Sequence, residues 1–191
     1  MTVSKPQLRA KALSQRRALS TDQRLSFSLE IEKRLLEHLK ENITETHHLL
    51  TYRALAEEVD TTTLFETPPC PIYAPRMHGG KDMHWFEITE GTNWITGSFG
   101  ILEPENGSDW NHEHGSTILL CPLVGFDRSG SRLGMGKGCF DRWLEKFQNR
   151  IDTIIGLAFS CQELPSIPVE PHDIPLQTII TEKEIITCLT T

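Results

Sequence analysis

Leu25, Ser28, Leu29, Glu32, Leu35, Leu36 and Leu39 recur at helical spacing, with Arg24, Glu30, Lys33 and Glu37 between them. Just ahead of this stripe, "STDQ" at Ser20–Gln23 has the form of a capping box, so a helix starts there. A shorter helix is predicted over 5–19, where Leu8, Ala12 and Leu19 lie among Lys and Arg. From His47 the pattern changes to short apolar runs: "HHLLTY", "PIYAPRM", "MHWFEI", "STILLCPLVGF", "DTIIGLAF" and "LQTIIT". Runs of this length without polar alternation read as strands buried on both faces.

Helical stretches such as "DTTTLFE" and "CFDRWLEKFQ" separate several of the runs, and the first is expected to end at Pro68 and Pro69. The alternation predicts an α/β fold: a mostly parallel central sheet flanked by helices, with a helical amino terminus. Residues 91–115, rich in Gly, Asn, Ser and His, read as irregular connection with at most one short strand. No composition break divides the chain, so its 191 residues are expected to form one domain, 1–191.

Composition narrows the function classes. With 38% hydrophobic and 24% charged residues the chain has a globular balance. A formal net charge of -7 argues against a general binder of nucleic acid or of a membrane surface, so any anion site must be local. The polar start and the absence of a long apolar run give a cytoplasmic expectation. Cys70, Cys121, Cys139, Cys161 and Cys188 are far apart and lack a C-x-x-C pair, so they read as reduced thiols. His47 with His48, and His112 with His114, have spacings a metal could use. No Cys or carboxylate set completes such a site, and they read as surface or loop histidines.

The chemistry concentrates in "RSGSRLGMGKGCFDRWLEKF", Arg128 to Phe147, which joins an apolar strand to an amphipathic helix. At such a junction the first helical N–H groups lack carbonyl partners and the helix dipole favours an anion. Glycine permits positive φ and close approach of a phosphate to the backbone. Arg132 and Lys137 add a guanidinium fork and a compact charge, and Asp141 on the first helical turn is a candidate metal ligand. The pattern is neither a Walker loop nor a dinucleotide fingerprint, and from spacing alone a glycine-rich structural turn would suffice. At ~100° per residue, Lys5, Arg9, Ala12 and Arg16 share one stripe of the first helix. Cations so placed repel one another unless they are solvated or an anion sits against them.

The segment "PLVGFDRSGSRLGMGKGCFDRWL" resembles the signature of the 5-formyltetrahydrofolate cyclo-ligase family, F-D-x-x-G-x-R-L-G-x-G-x-G-Y-Y-D-R-x-L. "KPQLRAKALSQRRALS", "EEVDTTTL" and "LPSIPVEPHDIPLQTIITE" are similar to the family's opening, middle and closing motifs, in the same order. The resemblance implies cyclisation of 5-formyltetrahydrofolate to 5,10-methenyltetrahydrofolate with ATP and Mg²⁺, releasing ADP and phosphate. It places Lys5, Arg9 and the loop Arg132, Leu133, Gly134, Met135, Gly136, Lys137, Gly138, Cys139 and Phe140 at ATP. Glu58 and Met135 to Cys139 fall at the folate, Asp141 and Asp173 at magnesium, and Arg132 with Lys137 at the reacting phosphoryl group. No obligate protein partner is implied. Cys139 and Phe140 replace the family's aromatic pair, and Met135 stands where a basic or aromatic residue is usual. A tyrosine hydroxyl contact there is therefore lost. Read without the resemblance, the same loop also suits a sugar-phosphate isomerase or an acyl-transfer enzyme, neither of which requires ATP, or a nucleotide- or sugar-phosphate-sensing module.

Overall fold

The computed structural model describes residues 3–40, 43–44, 46–79, 82–97, 100–111 and 115–188, which leaves His112 and His114 outside the described residues. Ser20 caps the long helix as expected: its hydroxyl accepts the Gln23 amide at 3.1 Å, and the Gln23 side chain accepts the Ser20 amide at 2.9 Å. The first helix, α1, spans Lys5–Arg17, and the second, α2, spans Thr21–Lys40. The buried face of α2 is Ser28, Ile31, Leu35 and Leu39, whereas Leu25 and Leu29 stand exposed. The sequence stripe was thus rotated by part of a turn, because it counted leucines and passed over Ile31.

The strands that follow are β1 (His48–Leu50), β2 (Ile72–His78), β3 (Asp82–Glu87), β4 (Trp94–Thr96), β5 (Leu102–Pro104) and β6 (Thr117–Pro122). They continue with β7 (Gly125–Phe126), β8 (Arg132–Leu133), β9 (Thr153–Leu157), β10 (Thr178–Ile180) and β11 (Ile185–Thr187). Helix α3 (Thr62–Glu66) precedes β2, and helix α4 (Cys139–Phe147) follows β8. The central sheet has seven strands in the order β11-β10-β9-β6-β1-β2-β3. Its inner pairs are parallel, and both edge strands, β3 and β11, run antiparallel to their neighbours.

The apolar runs are explained by burial on both faces. Leu50, Leu119, Cys121, Ile154 and Ile179 face a core that includes Trp143 and Leu144 of α4. Their neighbours Leu49, Leu120, Ile155 and Ile180 face Ile31, Leu35 and Leu39 of α2 and Leu64 of α3. Successive side chains alternate between the two faces, and both are apolar. A third cluster joins Leu8 and Ala12 of α1 to Val124, Leu133, Leu164 and Ile167.

Two sequence readings are corrected. "STILLCPLVGF" is not one strand: the ladder stops at Pro122, and Gly125–Phe126 turns away to pair with Arg132–Leu133. Residues 91–115 contain two strands, β4 and β5, which form an antiparallel ribbon. β11 was not anticipated; the turn that leads into it is made by the Thr181 hydroxyl, which accepts the Lys183 and Glu184 amides at 3.2 and 3.1 Å. All five cysteines are free thiols. His47 stays local, its Nδ1 receiving the Thr44 amide at 2.9 Å. Among the described residues no helix is long and apolar enough to cross a membrane.

Trp143 packs between Trp85 (5.4 Å), Trp110 (5.6 Å) and Phe147 (5.2 Å) and is 5% exposed, so it carries much of the contact between α4 and the sheet. Trp143→Ala is expected to cost about 3–5 kcal/mol, measured by chemical denaturation. A cost within error of zero would mean that α4 is held by its loop alone.

Candidate active site

Asp127 organises the start of the loop. One carboxylate oxygen accepts the Ser129 amide at 3.1 Å, the Ser129 hydroxyl at 2.6 Å and the Ser131 amide at 3.2 Å. Its other oxygen accepts the Ile167 amide at 2.8 Å, tying the turn to the chain's closing segment. Gln162 does similar work at the end of β6, donating to the Leu123 and Val124 carbonyls at 2.9 and 2.8 Å. The strand–loop junction is thus set by buried side-chain bonds.

Beyond β8 the chain passes through Gly134–Gly138 into α4. Gly136 (φ +88°) and Gly138 (φ +65°) adopt left-handed backbone, which a side chain would strain, and Gly138 is the residue that caps α4. Arg142 reaches back and donates to the Lys137 carbonyl at 2.8 Å. Arg132, with only 6% of its side chain exposed, donates to the Ile174 carbonyl and to the Asp141 carboxylate. One guanidinium therefore ties the ribbon to the first turn of α4 and to the closing segment.

Helix α1 lies against this loop. Arg9 Nε donates to the Gly134 carbonyl at 2.7 Å, and the Arg9 guanidinium would lie 3.5 Å from a Cβ at Gly136. Lys5 bonds Asp173 at 2.7 Å and Glu170 at 2.6 Å. Partial burial of Asp173 opposes its charge, but the Lys5 ammonium and the Glu170 amide outweigh this and hold the carboxyl below its ordinary value. Lys5 is raised for the matching reason, its bonds outweighing its own desolvation. Arg16 is not a solvated cation. It is 2% exposed and lies 3.6 Å from Glu57.

Between the loop and β1 opens a cavity of about 370 Å³. Its apolar wall includes Pro75, Met77, Met83, Ile101 and Phe140, while Arg132, Gly134, Met135, Lys137, Gly138, Cys139 and Asp141 form the loop side. Tyr52, Arg53, Leu55 and Glu58 enter from the chain that follows β1, and Glu103 enters from β5. Burial pushes the Glu58 carboxyl up from its ordinary value, against the Leu55 amide it accepts at 2.9 Å and the nearby Arg16 charge. Phe140 preserves packing, edge-on to Trp85 at 6.2 Å.

The structure brings Lys5, Arg9 and Asp173 to the α1 side of the loop, and Glu58, Arg132, Met135, Lys137, Gly138, Cys139, Phe140 and Asp141 to the cavity. Leu133 stands apart: the residue is 2% exposed within the α1 cluster, and its carbonyl accepts the Val124 amide at 2.7 Å, so it presents little to a ligand. Sequence reasoning passed over Asp127, Gln162, Arg53 and Glu103. The Asp-x-Ser-Gly turn signal could have found Asp127. Nothing local marks the others.

A glycine-rich loop flanked by Arg9, Arg132 and Lys137, opening into a largely apolar cavity at the carboxyl ends of parallel strands, has the arrangement of a small-molecule enzyme of the α/β class. The chain matches the 5-formyltetrahydrofolate cyclo-ligase family over residues 1–182, and it belongs to that family. It is 27% identical to the Escherichia coli K12 5-formyltetrahydrofolate cyclo-ligase, over 89% of this chain and 96% of that protein. The Haemophilus influenzae relative of the same name is 36% identical over 57% of this chain and 60% of that protein. Among solved structures, Aquifex aeolicus 5,10-methenyltetrahydrofolate synthetase has a TM-score of 0.81 at 30% identity, covering 98% of this chain and 94% of that one.

The raised Glu58 carboxyl has a consequence for stability. A carboxyl raised on folding contributes stability below its unfolded value, and that contribution is lost as pH rises through the folded value. Glu58→Gln is therefore expected to raise the melting temperature at neutral pH. The gain should shrink to nothing as pH falls toward the ordinary carboxyl value of 4.5. A gain that persists in acid, or a loss at neutral pH, would contradict the burial argument.

Proposed function

We propose that this chain catalyses the ATP- and Mg²⁺-dependent cyclisation of 5-formyltetrahydrofolate to 5,10-methenyltetrahydrofolate, releasing ADP and phosphate. The observation that carries this reading is that one loop, Gly134–Gly138, is both the seat of Arg9 and a wall of the apolar cavity. A nucleotide phosphate held by the loop would then meet a flat ring held in the cavity.

A formamide is a poor electrophile because its nitrogen lone pair is delocalised into the carbonyl. In the proposed course the formyl oxygen attacks the γ-phosphorus and the bond to ADP breaks. N10 then adds to the activated carbon, and phosphate leaves with the N10 proton. The protein need supply no covalent step, since alignment and cations near the transferring oxygens account for most acceleration of phosphoryl transfer. Lys137 and Arg132 fill that role, with the loop amides, while Lys5 and Arg9 hold the phosphates from α1. Glu58, Met135 and Cys139 contact the folate ring, and Phe140 backs it.

Asp141 and Asp173 fit a hard cation. Each is a partly exposed carboxylate at the loop side, with 38% and 25% of the side chain accessible, and Glu170, His172 and Asp173 bring ligand atoms within 4.8 Å of one another. Magnesium takes one or two carboxylates with phosphate and water oxygens, and would offset charge on the bound phosphates.

The test is the near-ultraviolet absorbance of methenyltetrahydrofolate when the protein meets 5-formyltetrahydrofolate. Absorbance should grow only with ATP and Mg²⁺ both present. No growth where a known family enzyme works would redirect the site to sugar phosphates. Lys137→Ala is expected to lower kcat by roughly ten- to hundredfold, as for loss of one charged hydrogen bond, with a smaller change in the KM for folate. Unchanged turnover would remove Lys137 from the mechanism.

A further inference from the structure

We propose that Arg142 is a positioning residue: by holding the Lys137 carbonyl it fixes the Lys137–Gly138 peptide, and so aims the Lys137 ammonium and the Gly138 amide at the transferring phosphoryl group. The inference deepens the cyclo-ligase reading and rests on it.

The Arg142 guanidinium donates to the Lys137 carbonyl at 2.8 Å and to the Cys139 sulfur at 3.7 Å. It also covers Gly138, where an added Cβ would lie 3.2 Å from Arg142 Nη1. The Arg142 backbone amide holds the next carbonyl, that of Gly138, at 3.0 Å. One residue therefore grips all three positions through which the loop becomes α4. The helix dipole does not account for its location, because a cation near the amino end of a helix is disfavoured. Nor does Gly138 add a side-chain cap of its own.

What this grip decides is the orientation of one peptide. A flip of the Lys137–Gly138 peptide turns ψ of Lys137 and φ of Gly138, and glycine accepts φ of either sign. Backbone preference at Gly138 therefore does not choose between the two orientations, and Arg142 does. In a planar trans peptide the carbonyl and the following N–H point in opposite directions. A Lys137 carbonyl turned toward Arg142 thus turns the Gly138 amide away from it. That amide has no acceptor among the described residues, and Lys137 and Gly138 both line the cavity. Arg9 does the corresponding work at the other end of the loop, through the Gly134 carbonyl at 2.7 Å.

Steady-state kcat and KM for methenyltetrahydrofolate formation are measured for wild type, Arg142→Met and Arg142→Lys, and again with Lys137→Ala added. Arg142→Met is expected to lower kcat roughly tenfold, as for loss of one hydrogen bond from a charged donor, with the KM for 5-formyltetrahydrofolate within about twofold of wild type. Arg142→Lys, which keeps a charged donor, should recover kcat to within about threefold. With Lys137 already removed, Arg142→Met should cost no more than about threefold, because one of the two groups it aims is gone. An undiminished cost there, a KM for ATP that rises with kcat unchanged, or a lower melting temperature with kcat unchanged would each overturn the inference and leave the cyclo-ligase reading standing. If Arg142→Met does not fold, Arg142→Gln is read in its place by the same criteria. Wild type that forms no methenyltetrahydrofolate sinks the cyclo-ligase reading itself, and the inference falls with it.

Discussion

The close approach of α1 to the β7–β8 ribbon is the constraint on which the site depends. Ala12 is fully buried, and a Cβ on Gly125 would lie 3.2 Å from the Ala12 Cβ and 2.9 Å from Leu164. A larger residue at either position would lift the helix away. At this separation the three cations of the stripe meet three different partners: Lys5 the carboxylates of Asp173 and Glu170, Arg9 the Gly134 carbonyl, and Arg16 the Glu57 carboxylate. A stripe that would repel itself on an isolated helix is therefore stabilised by contacts that exist only when the helix is docked. Docking the helix and bringing its cations to the glycine loop are one event.

The sheet sets the other half of the geometry. Its parallel inner strands deliver the chain after β1 and the chain after β6 to the same edge, so Glu58 and Lys137 line one cavity although 79 positions separate them in sequence. Because both faces of those strands are occupied by helices, their carboxyl edge is where a ligand has room. The β4–β5 ribbon adds Glu103 to the cavity wall, and its Trp94 stacks on Arg53. Gly97 lets this happen, since a side chain there would collide with the Glu103 carboxylate.

The elements with strong local signals were legible in the sequence. The Ser20 capping box, the run over β6 and the helix after Gly138 each form from residues close together in the chain, so the sequence carries their geometry directly. The division of "STILLCPLVGF" was not legible. Val124 and Gly125 are as apolar as their neighbours, and the contacts that turn them out of the ladder, with α1 and with the Gln162 side chain, come from distant parts of the chain. The α2 face was misjudged for a related reason: leucines at 25 and 29 fit helical spacing, but the sheet receives Ile31. Arg53 was invisible because a cation between two rings from distant segments leaves no mark on the residues beside it. The loop's glycines were read as anion-binding, while the buried bonds of Asp127 and Gln162 that hold the loop in place could come only from the fold.

The proposed chemistry must also reconcile the anion side of the site with a chain of net charge -7. Its cations are not idle: Asp141 occupies Arg132, and Asp173 with Glu170 occupies Lys5. An arriving triphosphate would compete for those cations and would face the same carboxylates at short range, a repulsion that burial strengthens. A divalent cation held by Asp141 or Asp173 would supply positive charge that offsets this repulsion. On this reading the ion pairs hold the cations in place before the ligand arrives, and the metal lets the carboxylates stay when it does. The pairs and the proposed metal requirement thus answer one electrostatic problem, which a site built only from cations would not have.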